Sequence, residues 1–371
     1  METNGILKNK KILYIHRDGQ GWGGAQQGVI DLIEHFKTEF GAAVFVGNKG
    51  QLLQRARQNG TKCYKLPFHR VLMFPVSFLL LAVVLKKESP DIVHSNHRYT
   101  SVLVQLVRKI IRGKFTTLHT ARSVFYSKTH LNDLGDRIVA ISDTAKKNIV
   151  EQFNYPPEKI DIIYNGIEIE KNKNHGGKIQ QLENVNLSNK AIIGIIGGLV
   201  ESKGHHYLFQ AIAKLPGELK NRTIVLVSGQ GHLVEELKLL ARTLNIAEMV
   251  KFLGYCKEIV PVLNKCDFLV IPSIQEGGSR VLIEGFLSGI PSIAFGLQFA
   301  YEFIQHNQTG LIVPVRDVDA LAKAVQVYIE HPEIAQKHGR NGKRFVNGKF
   351  TKKRMYDRYC AVYQKILVSS Q

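Results

Sequence analysis

Short β-branched runs alternate with longer segments of helical period along nearly the whole chain, and that alternation admits few folds. Strands are expected at Lys11–His16, Ala43–Val46, Ile92–His94, Thr116–His119, Arg137–Ile141 and Ile160–Tyr164, with helices over Ala25–Phe36, Pro75–Lys87, Ser101–Ile111 and Asp143–Phe153. Such βα alternation calls for a parallel sheet covered by helices on both faces. The stretch Glu168–Lys190 breaks the pattern: it is rich in Asn, Lys, Gly and Gln, lacks apolar periodicity, and reads as a linker. A second series resumes at Ala191–Ile196 and continues at Thr223–Ser228, Val250–Leu253, Phe268–Pro272, Ser292–Phe295 and Leu311–Val313, and Lys349–Val368 reads as a basic, aromatic-bearing helix. The expectation is an α/β chain of two Rossmann-like domains, residues 1–167 and 191–345, joined by a linker at 168–190 and followed by a helix within 346–371.

A length of 371 residues suits two domains. The four cysteines, Cys63, Cys256, Cys266 and Cys360, contain no Cys-x-x-Cys pair, so neither a zinc site nor a disulfide framework is indicated, and a reducing cytoplasm is the simplest compartment. Charge is the unusual quantity: Lys plus Arg number 50 against 31 for Asp plus Glu, a net of +19. A nucleic acid, an anionic membrane face or a phosphorylated substrate could each answer it. The basic residues are dispersed and no nucleic-acid reading module is present, which disfavours the first. Ile12-Leu13-Tyr14-Ile15 is too short for a signal-peptide core. The longest apolar run, Val71–Leu85, is interrupted by Pro75 and Ser77. It falls short of the roughly 18 to 20 residues that span a bilayer and reads as a buried helix. Arg70 before it and Lys86-Lys87 after it would also suit contact with a membrane surface.

Ligands of open parallel sheets bind beyond the carboxyl ends of the strands, and the informative residues stand there. After the first strand, Gly19-Gln-Gly21-Trp-Gly23-Gly24-Ala25-Gln26 satisfies Gly-x-Gly-x-x-Gly and opens a helix. The next strand ends Val44-Phe-Val-Gly-Asn-Lys49 with no acid to hold ribose hydroxyls, so a nicotinamide cofactor is not expected. An anion-friendly loop at a helix N-terminus remains, beside the plainer reading of a turn that needs glycine for its backbone. In the second half, Gly197-Gly198-Leu199 leads to Lys203-Gly204 just before a helix, where a lysine can neutralise a diphosphate. Then Pro272-Ser-Ile-Gln-Glu276-Gly277-Gly278-Ser279-Arg280 ends a strand, turns through small residues and enters a helix that carries Glu284 about one turn in. Amides of Gly277 to Arg280 can donate to phosphate or sugar oxygens, and the two carboxylates can each hold hydroxyls. Asp317-Val-Asp319 resembles a metal-binding Asp-x-Asp but precedes an apolar-periodic helix, so capping is expected and a metal is not. His94 to Arg98 end a strand and could face an acceptor or form an ordinary loop.

Taken in order, Gly-Gly-Ala-Gln, Ile163-Tyr-Asn165-Gly166-Ile-Glu, Gly-x-Leu-x-x-x-Lys-Gly and Glu-x7-Glu resemble the retaining glycosyltransferases of the GT-B fold, family four, from about Lys11 to about Phe345. The resemblance implies two domains facing across a cleft, the first on the acceptor side, the second on the donor side, with the C-terminal helix returning to the first. It implies that Glu284 binds the nucleotide ribose, Glu276 the donor sugar and Lys203 the diphosphate, with the amides of Gly278, Ser279 and Arg280 on phosphate and sugar oxygens. His119 matches a histidine near the anomeric centre, Gly23 and Gly24 a loop approaching donor phosphate and acceptor, and Gly254 and Tyr255 the base pocket. The family usually has arginine where Gly198 stands, which makes Arg122 and Arg280 candidates for the missing diphosphate contact, and the loop after Glu276 reads Gly-Gly-Ser-Arg instead of Gly-Phe-Gly-Leu. The implied activity is metal-independent hexosyl transfer from a UDP- or GDP-sugar, with no cofactor, to a hydroxyl of a glycan or lipid-linked acceptor. The implied setting is polysaccharide or lipopolysaccharide synthesis, cytoplasmic or peripheral at the inner membrane face. A nucleotide-sugar epimerase, a glycan phosphorylase of the same architecture, and a catalytically silent scaffold binding glycan or a partner protein fit the same residues; detecting sugar transfer separates them.

Overall fold

The computed structural model describes residues 5–17, 22–68, 73–125, 133–168, 179–183, 185–256 and 258–368. They form two compact units, Met1–Asn165 with Lys353–Gln371, and Gly166–Lys352. The first unit runs β1 (Lys11–His16), α1 (Gly24–Phe36), β2 (Ala42–Gly47), α2 (Gln51–Gln58), β3 (Lys62–Lys65), α3 (Phe74–Glu88), β4 (Ile92–Ser95), α4 (Arg98–Ile111), β5 (Thr116–Ala121), β6 (Arg137–Ala140), α5 (Asp143–Phe153) and β7 (Ile160–Ile162). Its seven strands are ordered β3-β2-β1-β4-β5-β6-β7, and every pairing is parallel. Ile12 to His16 of β1 and all four residues of β4 are buried, as strands covered on both faces must be. The strand order reverses between β1 and β4, so the loops after them diverge and leave a crevice at the carboxyl edge.

The second unit runs β8 (Ala191–Ile196), α6 (His205–Ala213), α7 (Gly217–Asn221), β9 (Thr223–Ser228), α8 (Val234–Thr243), β10 (Val250–Gly254), α9 (Val260–Leu263), β11 (Phe268–Ile271), α10 (Arg280–Leu287), β12 (Ser292–Phe295), α11 (Gln298–Phe303), β13 (Gly310–Val313), α12 (Val318–Glu330) and α13 (Pro332–Val346). Its six strands are parallel in the order β10-β9-β8-β11-β12-β13, with the reversal between β8 and β11. The expected pair of parallel sheets is therefore present. The last helix, α14 (Lys352–Val368), buries Met355, Tyr359, Val362, Tyr363, Ile366 and Leu367 in one core with Ile12, Tyr14, Val29 and Phe36 of the first unit.

Three local readings change. The helix expected at Pro75–Lys87 spans Phe74–Glu88, but it is not a buried helix: Val76, Leu79, Leu80 and Val83 face solvent. The expected linker is packed where it is described, with Leu182 buried and Ile179, Val185 and Leu187 set against it in the core beneath Ile192 and Leu253; residues 169–178 lie outside the described residues. Helix α4 begins at Arg98, three residues earlier than its apolar pattern suggests, because the His97 ring accepts from the amide of Tyr99 and caps it. Among the described residues no helix is long and apolar enough to cross a membrane. Asp317 caps α12 by accepting from the amide of Ala320 at 2.9 Å, and Asp319 pairs with Lys214 at 2.5 Å, as ordinary capping and surface pairing require.

Candidate active site

In the second unit the loops after β8, β9 and β11 are stitched together by backbone, and glycine makes the close approaches possible. Gly204 has φ +65, and a Cβ there would lie 2.0 Å from the Pro272 carbonyl oxygen; at Gly229 it would lie 1.8 Å from that of Gly197. The amide of Ile274 donates to Ser202 O at 2.9 Å, joining the loop after β11 to the turn that carries Lys203. That joint brings the Lys203 ammonium onto the Glu276 carboxylate as an ion pair, with the two side chains 32% and 12% exposed. Gly277 and Ser279 are buried, Gly278 lies between them, and the Ser279 hydroxyl accepts from the amide of Leu282 to cap α10. On the first turn of α10, Arg280 Nε donates to Glu284 Oε1 at 2.9 Å.

The sequence therefore singled out two acids, and the structure gives each a basic partner at the carboxyl edge of one sheet. Gly254 ends β10, and its carbonyl accepts from the amide of Gly229 at 2.8 Å; Tyr255 follows, half-buried. Gly198 is exposed, and a Cβ there would meet nothing nearer than 3.9 Å, so no steric demand explains glycine in place of arginine. Sequence reasoning passed over His205, the first residue of α6. The residue is 1% exposed, neither ring nitrogen is bonded among the described residues, and burial, reinforced by the Lys203 charge, lowers its pKa to about 3.

In the first unit a cavity of about 790 Å³ opens at the carboxyl ends of β1, β4 and β5. Its polar wall includes His16, Asn96, Arg98, His119, Thr120 and Arg122; its apolar wall includes Phe74, Tyr99 and Phe125, and among the described residues no acidic one lines it. His119 shares a hydrogen bond through Nδ1 with Ser101 Oγ at 2.7 Å, while Nε2 has no partner among the described residues. Burial first, then the nearby His97, Arg122 and Arg98, lower its pKa to about 3, so it is neutral at physiological pH. His16 is held at about 3 chiefly by burial as well. Arg122 donates to Asn96 Oδ1 at 3.0 and 3.2 Å and to Asn165 Oδ1 at 3.3 Å. A Cβ on Gly28 would sit 2.2 Å from Arg122 Nη1, so that glycine of α1 makes room for the guanidinium. Gly23 and Gly24 do not line the cavity, though Ala25 does. Gly23 has an extended backbone, φ −151, and a Cβ there would have ordinary contacts, so the turn does not need glycine at that position. Gly19 and Gly21 lie outside the described residues.

Beneath the cavity lies a buried polar chain. His94 joins Thr120 Oγ1 (2.7 Å) to the Tyr363 hydroxyl (2.8 Å), and Tyr359 reaches Thr120 at 3.1 Å. Helix α14 thus pins the strand that carries His119. Asn96 and Arg98 came from the segment that the sequence left open between acceptor contact and plain loop; His16 carried no signal beyond ending a strand.

Residues 178–345 match the family described as Glycosyl transferases group 1, and residues 22–171 match Glycosyltransferase Family 4. The chain is 29% identical over 237 residues to the N-acetylgalactosamine-N,N'-diacetylbacillosaminyl-diphospho-undecaprenol 4-alpha-N-acetylgalactosaminyltransferase of Campylobacter jejuni, covering 60% of this chain and 62% of that enzyme, less than two thirds of its length. It is 23% identical to the UDP-Gal:alpha-D-GlcNAc-diphosphoundecaprenol alpha-1,3-galactosyltransferase of Escherichia coli over 67% of this chain and 69% of that one. Anabaena HepE, solved in complex with UDP-glucose, is similar in structure with TM-score 0.84 at 19% identity, over 96% of this chain and 100% of that one.

Proposed function

The chain belongs to the glycosyltransferases of family four and has their GT-B fold, and from that premise we propose that it transfers a sugar, with retention at the anomeric carbon, from a nucleoside diphosphate sugar to a hydroxyl of a glycan or lipid-linked acceptor in cell-surface polysaccharide or lipopolysaccharide synthesis. One observation carries the reading: Lys203 pairs with Glu276 on loops at one sheet edge, and Arg280 pairs with Glu284 on the first turn of α10, whose N-terminus is capped beside them. Departure of a nucleoside diphosphate builds negative charge on the β-phosphate. Lys203 and the amides of Gly278, Ser279 and Arg280 are the groups that meet that charge as it develops. With glycine at 198, the second cation of the diphosphate is assigned to Arg280, on the same unit. Glu284 takes the ribose hydroxyls, Glu276 orients the sugar without acting as a nucleophile, and Gly254 and Tyr255 border the base.

The acceptor is assigned to the cavity of the first unit. In the proposed transfer the acceptor hydroxyl attacks from the leaving-group face and passes its proton to the departing phosphate. The neutral His119, with Nε2 unbonded, serves as a hydrogen-bond partner for a sugar hydroxyl and not as a cationic acid. Lys203 and the helix terminus supply the positive charge, so chelation with EDTA is expected to leave the rate unchanged.

The similar HepE was solved with UDP-glucose, which makes UDP-sugars the first donors to assay. Relatives named for diphospho-undecaprenol substrates support a lipid-linked acceptor. Lys203→Ala, Glu276→Ala and Glu284→Ala are each expected to lower transfer by about 10²- to 10³-fold. Near-normal rates in all three would refute the assignment.

A further inference from the structure

The cavity at the carboxyl ends of β1, β4 and β5 is walled by buried polar atoms that the described residues leave unsatisfied, and Asn96 is the clearest of them. Its Oδ1 accepts from Arg122 Nε and Nη2 at 3.2 and 3.0 Å. A guanidinium can only donate, so this contact fixes the orientation of the carboxamide and leaves Nδ2 as a donor directed elsewhere. Asn96 is 4% exposed, and Nδ2 has no partner among the described residues. A buried donor in that position costs free energy that a ligand acceptor recovers. His16 is the complement of Asn96. One of its nitrogens bonds the Asn96 backbone, and the other, Nδ1, has no partner among the described residues. In a neutral ring that donates to a carbonyl, the second nitrogen is an acceptor, suited to a hydroxyl.

The charges of the wall are those of Arg98 and Arg122. Arg98 lies over the rings of Phe125 and Phe153, 5.5 and 4.8 Å from their centroids, and burial disfavours its charged form. The charge of Arg122 reaches His16, His94 and His119 and pushes each toward its neutral form. An anion entering this cavity meets two guanidiniums and a carboxamide N–H, and among the described lining residues no carboxylate opposes it. The donor set also selects the kind of anion. No lysine is among the described lining residues, and the starts of the two helices that reach the cavity are already served by side chains: Gln26 Oε1 takes the amide of Gly23, and the His97 ring takes that of Tyr99. Open helix termini and point-like ammonium groups are the usual partners of phosphate. Two guanidinium forks and a carboxamide are planar, as a carboxylate is.

We infer that the acceptor is a glycan that presents a uronic acid, its carboxylate held by Arg98, Arg122 and Asn96 Nδ2 and its ring hydroxyls by His16 Nδ1 and His119 Nε2. The inference rests on the assignment of the acceptor to this cavity and adds the class of sugar recognised there. With the second cation of the diphosphate assigned to Arg280, Arg122 serves the acceptor.

The test is calorimetric titration of the full chain, without nucleotide, with three ligands that share one ring and differ only in the group on its sixth carbon: methyl glucuronide, methyl glucoside and methyl glucoside 6-phosphate, together with their galacto counterparts. The uronide of at least one series should bind about 10- to 100-fold more tightly than the neutral glycoside, the worth of charge-assisted hydrogen bonds, and more tightly than the phosphate. Asn96→Asp keeps the acceptor oxygen for Arg122 but replaces the N–H with negative charge. It should abolish the preference for the uronide and leave the affinity for the neutral glycoside near that of the wild type, a change of selectivity that a merely structural role of Asn96 would not produce. Arg98→Gln should reduce the preference about tenfold. Thermal stabilisation by UDP shows that each variant is folded, and the comparison of ligands on the wild type needs no variant. Equal affinity for uronide and neutral glycoside, or binding of neither, overturns the inference. Tighter binding of the phosphate overturns it in favour of a phosphorylated acceptor, and a preference that survives in both variants overturns the placement of the carboxylate. Failure of UDP to stabilise the wild type would count against the transferase reading alone, because the titrations contain no nucleotide.

Discussion

Lys203 and Glu276 hold each other, and the two proposed ligands of the donor, diphosphate and sugar, each claim one member of that pair. On the proposed assignment, binding exchanges one ion pair for another, and the carboxylate both assists the sugar and restrains the lysine. The effects separate in Glu276→Gln, which keeps shape and hydrogen-bonding capacity but removes the charge. Freed from its counter-ion, Lys203 should hold UDP more tightly. A half-buried pair is worth about 1 kcal/mol after solvent screening, which is about fivefold in affinity. Transfer should fall about 10²-fold because the sugar loses its carboxylate. Calorimetric titration with UDP and a rate assay on the same variant check both halves. UDP binding weaker than in the wild type would mean that Glu276 does not restrain Lys203. The same pairing logic applies at Arg280 and Glu284, four residues apart on one helix face, a contact that i, i+4 spacing favours.

At the scale of elements, what could be read depended on how far an element's reason for existing lies within its own residues. Strands such as Lys11–His16 and Ala191–Ile196 are continuous apolar runs buried on both faces, and their limits could be read directly. Strand β3, Lys62-Cys-Tyr-Lys, could not: it is a short edge strand whose partly exposed, lysine-flanked sequence is strand only because β2 pairs with it. Helix α2 presents just Leu52, Leu53 and Ala56 to the core, too few to show a period. The pairing of the loops after β8 and β11 was legible in outline because Lys203 and Glu276 each follow a strand and precede a helix, with Glu284 one turn inside the second. The cavity was not, because His16, Asn96 and Arg122 are far apart in sequence and meet only through the order β1-β4-β5. Glycines show the same division. The glycine-rich first loop suggested a backbone requirement, yet Gly23 is extended, whereas Gly204, noted in the sequence only as the neighbour of Lys203, has φ +65 with the Pro272 carbonyl against it. Gly204→Ala should cost about 3 kcal/mol or more, strain and clash together, and Gly23→Ala no more than about 0.5 kcal/mol. Urea unfolding of the two variants measures the contrast. Equal stabilities would mean that the loops after β8 and β11 do not require that approach.

For the whole molecule, the +19 charge and the buried imidazoles act together as the solution is acidified. The first unit has four histidines with lowered pKa, three of them buried and His97 partly so: His16 and His119 at about 3, His97 at about 4, and His94 well below its ordinary range, in each case chiefly through desolvation. The second unit has His205 at about 3 and smaller decreases at His206 and His338. A base whose folded pKa lies below its unfolded value of 6.5 binds protons preferentially in the unfolded chain. Its contribution is thus fully present above about 6.5 and is lost as the pH falls toward the folded value. At about pH 5 each imidazole held near 3 has given up about 2 kcal/mol, and protons taken up elsewhere add to a chain already strongly positive. The two units have separate cores, so they need not unfold in one step. The transition of the first unit should then move down more steeply between about pH 7.5 and pH 5 than that of the second, because more of its histidines are pushed far below 6.5. Scanning calorimetry over that range, with His16→Gln to remove about one proton's worth of the slope, measures this directly. A first-unit transition temperature that stays level from neutral pH to about pH 5 would show that those imidazoles are not buried in the neutral form.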